Sequence, residues 1–244
     1  MTVRHSLIST FVLAFFSVAT SLAATEGDGM FVQRFTTQNG LSSNKVNDIV
    51  QDGNGFIWLA TNAGLERYDG YAFKSFHSTR GTTDLFVSND IKMIVAQDDY
   101  ILLLHDETAE VFDQKTGMVT LIEDDALRSS TLRAAAFAAK DTVYLGGPSG
   151  LFVHSLLTHE TRIVECLDGH GVNTMNNIRS LTLDDMGNLW VTTVWRGVYY
   201  KPANDCRFVH VVKDIPGNLF ATSVVSHDGK VYIGTWGSGI YILN

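Results

Sequence analysis

The chain has 244 residues, of which 45% are hydrophobic, 11% aromatic and 18% charged, a balance that buries a core and excludes a disordered or coiled-coil chain. Its 26 acidic against 18 basic residues give a formal charge of −8, which argues against sequence-independent binding to nucleic acid or to an anionic membrane surface and leaves room only for a local basic pocket. The 21 Gly against 3 Pro point to an all-β chain of short strands and tight turns, and the two cysteines, Cys166 and Cys206, are too few for a disulfide scaffold and lack the spacing of a zinc site.

At the N-terminus Arg4 precedes an apolar stretch from Leu7 to about Val18, with Ser21 and Ala23 ahead of a plausible cut. That pattern predicts a signal peptide over residues 1–23 and a β-propeller domain over 24–244. The rival is an uncleaved anchor in the inner membrane, but the Ser and Thr residues dilute the stretch, and cleavage is favoured. The expected location is periplasmic or secreted, with membrane association only through an uncleaved signal or a missing C-terminal segment. Residues 30–36 then read as a lone strand with no partner of its own.

From Leu41 onward one pattern recurs five times, over approximately 41–78, 79–125, 126–171, 172–217 and 218–244. Each copy has an apolar alternation, a tight turn, a strand with a bulky anchor, a second turn closing at a small residue, and further strand. The anchors are Trp58, Leu102, Tyr144, Trp190 and Tyr232, a spacing close to that of four-stranded propeller blades. The second copy is degenerate, with Thr108 where Gly64, Gly150, Gly197 and Gly239 stand in the others. Asp52 with Gly55, and Asp184 with Gly187, supply side-chain acceptors and a positive-φ position for a hairpin turn, and Trp58 and Trp190 are expected between neighbouring sheets. The fold class is therefore all-β, a propeller of about five blades, either a closed ring or an arc of a larger one. The fifth copy stops at its third strand, so residues 30–36 are expected to supply the fourth and close the ring.

The string from Gly40 to Phe73, GLSSNKVNDIVQDGNGFIWLATNAGLERYDGYAF, resembles the repeat of the two-component regulator propeller family. That resemblance implies an extracytoplasmic sensor region of the kind carried by bacterial hybrid histidine kinases and diguanylate cyclases, a non-catalytic binding module in a signal-transduction system. No kinase box, Gly-rich nucleotide loop or Gly-Gly-Asp cyclase signature can be read in these residues. A protein-interaction scaffold in the periplasm is the first alternative and a propeller enzyme a weaker one.

The Asp turns also resemble the Asp-box of sialidase-like propellers, where they are structural; a calcium loop would need ligand positions that are absent. His105, His154, His159, His170, His210 and His227 show no metal pairing and are expected at surface or turn positions. Neither cofactor nor metal is expected, and a disulfide between Cys166 and Cys206 is disfavoured by their stagger. The better site argument is geometric. Loops between the second and third strands open on the same face as the links between blades. That face collects Asn62, His105, Trp195, Arg196 and Trp236, with Asn177 from a linker. Trp195, Arg196 and Trp236 replace small residues in loops one residue longer than the rest, which suits a carbohydrate-like or anionic small molecule. The competing expectation is that these rings pack against neighbouring blades.

Overall fold

Apolar residues at alternating positions, punctuated by Gly, Asp and Asn, give nineteen short strands and one 3-10 turn (Thr37–Asn39) among the described residues. The computed structural model describes residues 32–79, 85–127, 130–139, 141–167, 170–205, 207–211 and 219–244. Phe35–Asn244 forms one compact unit, which is the subject below. The expected signal peptide, residues 1–23, lies outside the described residues, as does Cys206; Cys166 is half-buried and its thiol is free. No helix among the described residues is long and apolar enough to cross a membrane.

The strands fall into five antiparallel sheets in which sequence neighbours pair. Blade one is β1 (Val46–Gln51), β2 (Ile57–Thr61), β3 (Gly64–Tyr68) and β4 (Phe73–Phe76); blade two is β5 (Met93–Gln97), β6 (Tyr100–Leu104), β7 (Ala109–Asp113) and β8 (Val119–Ile122). Blade three is β9 (Ala134–Ala139), β10 (Thr142–Gly147), β11 (Gly150–Ser155) and β12 (Thr161–Ile163). Blade four is β13 (Ile178–Leu183), β14 (Leu189–Thr193), β15 (Val198–Lys201) and β16 (Val209–His210), and blade five holds three strands, β17 (Ala221–His227), β18 (Lys230–Thr235) and β19 (Ile240–Leu243). The five anchors occupy one register: Trp58 opposite Val50, Leu102 opposite Val95, Tyr144 opposite Ala136, Trp190 opposite Thr182 and Tyr232 opposite Val225.

Four apolar cores lie between successive blades. Trp58 and Leu65 of blade one meet Ile94, Leu103 and Phe112 of blade two, and Leu102 and Val111 meet Phe137, Leu145 and Phe152 of blade three. Tyr144 and Leu151 then meet Leu181, Val191 and Tyr199 of blade four, and Val198 meets Val224 and Ile233 of blade five. At the two ends of the series apolar side chains face outward: Ile49 of β1 is 62% exposed, and Val225, Ile240 and Ile242 of blade five are exposed too. The arrangement is an arc of five blades.

Of the segment expected to close the ring, residues 30 and 31 lie outside the described residues. The described part of that segment, 32–36, forms no strand, and β19 keeps an unpaired edge among the described residues. Phe35 instead lies against blade one, its ring centroid 5.0 Å from that of Tyr68 and 5.3 Å from that of Phe73. Ring contacts of this kind give Phe35 a place on blade one.

The turns behave as their chemistry requires. Asp52 Oδ1 accepts from the backbone N–H groups of Asn54 and Phe56, while its Oδ2 accepts from Trp58 Nε1 at 2.8 Å. Asp184 repeats this with Met186, Asn188 and Trp190, and Gly55 and Gly187 take positive φ. Gly64 cannot be replaced, because at φ +127° a Cβ would sit 2.4 Å from the Phe76 carbonyl oxygen. Gly239 faces open space, so there the need is for φ +75° alone and not for room.

Candidate functional site

The links between blades are bonded to the loops between second and third strands, so both open on one face. Ile91 N–H donates to Thr61 O, Leu132 N–H to Asp106 O, Asn177 N–H to Pro148 O, and Trp236 N–H to Phe220 O, all between 2.9 and 3.1 Å. The result is a continuous backbone-bonded rim.

Three loops on this rim are built on a Thr that ends the second strand. Thr61, Thr193 and Thr235 each donate a hydroxyl proton to a Gly carbonyl, at Gly64, Gly197 and Gly239, and accept an N–H from within the loop. In blade one the loop is Asn62-Ala63; in blades four and five it holds one residue more, and the surplus is taken up by Trp195 and Trp236. Those rings stand 63% and 78% exposed. They are not isolated: Phe220, on the link into blade five, meets Trp195 edge-on at 4.8 Å and lies 6.3 Å from Trp236. The link thus supplies a base on which the two indole rings are propped, leaving most of each residue to solvent.

The other expected residues divide. Asn62 is exposed and accepts from Ser43 Oγ; Asn177 is exposed at φ +50° and its carbonyl takes the Val194 N–H, which ties the blade-three link to the Trp195 loop. Arg196 is exposed beside Trp195, and its backbone bonds His210, which burial pushes to a lower pKa against that bond. His105 departs from expectation: its ring is buried, with Nε2 bonded at 2.7 Å to Glu110 Oε2. Glu110 Oε1 in turn accepts Val87 N–H, as Glu66 accepts Ser42 N–H in blade one. This buried carboxylate pins the incoming link, and in blade two His105 bonds it from the place where blade one has Thr61. His154 is also buried, against the surface position expected for it, because its β11 site faces the sheet interior and Thr161 Oγ1 bonds Nδ1. Phe220 was missed by the sequence reading, which registered loops and not the residue before an inner strand. Among the described residues no three His, Cys, Asp or Glu side chains converge as a metal set.

Four-stranded antiparallel blades packed in series, with anchors in one register and a rim of inter-blade links, define a β-propeller. Residues 40–63 match the family model described as two component regulator propeller, so the chain carries the two component regulator propeller repeat. It is 39% identical over 67 residues to histidine kinase P4 of Formosa agariphila, a match covering 28% of this chain and 5% of that protein. The extracellular domain of a putative hybrid two component system, BT4673, from B. thetaiotaomicron superposes with a TM-score of 0.60 at 24% identity, over 83% of this chain and 26% of that one. A virginiamycin B lyase from Staphylococcus aureus shares the fold at a TM-score of 0.58 and 12% identity, over 82% of this chain and 66% of that one. The chain thus spans about a quarter of the sensor ectodomain and a small fraction of the kinase.

Proposed function

We propose that this chain is an extracytoplasmic, non-catalytic propeller module that binds a small ligand on its rim and serves a bacterial signalling system. The observation that carries the reading is the pair of exposed indoles, Trp195 and Trp236, propped on Phe220. Flat apolar faces of this kind stack on sugar rings or other planar groups, and the guanidinium of Arg196 beside them suits a hydroxyl or anionic substituent. A binding role is preferred to an enzymatic one because two pairs of titratable groups at the rim are bonded to each other. His105 is bonded to Glu110, and Lys92 is bonded to Asp90 at 2.6 Å, which raises the lysine pKa and lowers that of the aspartate. The repeat match and the extracellular neighbour support the placement in a sensor; the lyase neighbour shows only that the same architecture also carries enzymes.

The test is calorimetric titration of the wild-type chain and of the Trp195→Ser, Arg196→Ser, Trp236→Ser triple variant with neutral and acidic oligosaccharides. The triple variant is expected to keep its melting temperature, since exposed loop positions contribute little to stability, and to lose binding. Unchanged affinity in the triple variant would reject the rim as the site, and a triple variant that unfolds would assign the rings to packing.

A further inference from the structure

The inner strands of blades one, four and five begin with an irregularity at one equivalent position. In β1, β13 and β17 the pairing with the second strand slips by one residue at Asn47, Arg179 and Thr222. Lys92 and Arg133 stand at the same place just ahead of β5 and β9, their N–H groups bonded to Leu104 O and Gly146 O at 2.8 Å. A bulge leaves one residue out of the ladder and re-aims its side chain. Asn47, Lys92, Arg133, Arg179 and Thr222 thus stand at one place at the rim end of the inner strands; Asn47 bonds the Ile91 carbonyl of the next link, and the other four border one cavity.

Three consecutive members of that row are cationic, in a chain whose formal charge is −8. Lys92, Arg133, Arg179 and Thr222 line a cavity of about 510 Å³ together with Asp106 from the β6–β7 loop. Lys92 is largely neutralised, with Asp90 at 2.6 Å and Asp106 at 3.7 Å. Arg133 and Arg179 are exposed, and among the described residues neither guanidinium has a hydrogen-bond or ion-pair partner. Two forked donors on adjacent blades, facing one cavity and bonded to no carboxylate among the described residues, are matched to oxyanions, which accept two parallel N–H bonds from each fork.

We propose that this cavity is a binding site for a small molecule carrying at least two oxyanion groups, one held by Arg133 and one by Arg179, with the Thr222 hydroxyl as a further donor. Asp106 screens out ligands whose charge extends toward blade two and, with Asp90, keeps Lys92 in place. The site goes beyond the aromatic rim reading: Arg133, Arg179 and Thr222 are separate from Trp195, Arg196 and Trp236, and the two sites are disabled by different substitutions.

The experiment titrates the full chain with citrate, inorganic pyrophosphate and ethanedisulfonate at fixed ionic strength, so that carboxylate, phosphate and sulfonate are separate arms. At least one probe is expected to bind, with affinity at least tenfold weaker in the Arg133→Gln, Arg179→Gln double variant and unchanged in Arg162→Gln, a substitution on β12. The preferred arm identifies the oxyanion. Thr222→Arg adds a third guanidinium to the row and is expected to tighten binding, which tests the site even if the double variant is poorly folded. No binding by any of the three probes, equal affinity in the double variant, or no gain with Thr222→Arg would overturn the proposal.

Discussion

Asp52 and Trp58 act as one unit, and so do Asp184 and Trp190: a turn carboxylate closes the hairpin with one oxygen and fixes the indole with the other. The two units differ in burial. Trp58 is fully enclosed by Phe76 and Phe112, whereas Trp190 is half-buried, stacked on Tyr200 at 5.1 Å, and borders a cavity of about 600 Å³ between blades four and five. Trp58→Ala is therefore expected to cost about 3–5 kcal/mol and Trp190→Ala distinctly less, measured by chemical denaturation; equal losses would contradict the packing described. Trp58→Phe removes the donor and part of the ring system, leaving the buried Asp52 carboxylate short of one bond at a cost of about 1–3 kcal/mol in addition to the cavity left by the lost ring atoms. Asp184 adds a pH signature. Burial acts to raise its pKa, but the bonds from Trp190 and Asn188 outweigh it and hold the carboxyl below the ordinary 3.8. Its contribution is then full above that value and is lost as pH falls through the lower folded-state value.

At the scale of the element, the blade repeats its ties as well as its core. Asp48 Oδ2 accepts Ile94 N–H from blade two at 2.9 Å, and at the same register Ser180 Oγ accepts Val224 N–H from blade five. Met93 and Ala134 occupy that position in blades two and three and offer no side-chain acceptor there, so those blades lack this tie and rely on apolar packing and the rim's link bonds. Blade three carries a second weakness. Burial, with His159 adding to it, lowers the His154 pKa, so the unfolded chain binds a proton there that the folded chain refuses. Stability is expected to fall as pH drops below about 6.5, the unfolded value for histidine, and His154→Gln should flatten that fall in thermal melts taken between pH 7.5 and 5.5. Unchanged pH dependence would show that His154 is solvated. The blade plan was legible in sequence because each copy needs the same turn and anchor, and even Leu102 and Thr108 of the degenerate copy fall in register. The buried His105–Glu110 pair and the bulge row were not. Both depend on what a neighbouring strand or link brings alongside, and a histidine in a polar loop string reads as exposed until the partner five residues on is seen to turn inward.

At the largest scale, four inter-blade cores join five sheets and leave two sheet faces without a neighbour among the described residues. The expectation of a closed ring rested on edge protection, which is a sound general requirement, but the aromatic pocket on blade one holds Phe35 there. Val225, Ile240 and Ile242 lie on one exposed face of blade five, so the purified chain is expected to self-associate with rising concentration. Ile240→Lys with Ile242→Lys should abolish this in sedimentation velocity; persistence of the association in that variant would place the contact elsewhere.

The rim was foreseeable from loop lengths and strand order, whereas its chemistry was only half so: Trp195, Arg196, Trp236, Asn62 and Asn177 are on it and accessible, His105 is enclosed, and Phe220 and the inner arginines emerge only from the fold. The most direct measurement of the binding-module reading is a backbone amide chemical-shift titration of the labelled chain with the oligosaccharide that binds in calorimetry. Shifts are expected at Asn177, Trp195, Arg196, Phe220, Trp236 and their neighbours, with the opposite-end turns at Asp52–Gly55 and Asp184–Gly187 unmoved. Shifts concentrated at those turns, or on the outer strands β4, β8 and β12, with a silent rim, would contradict it.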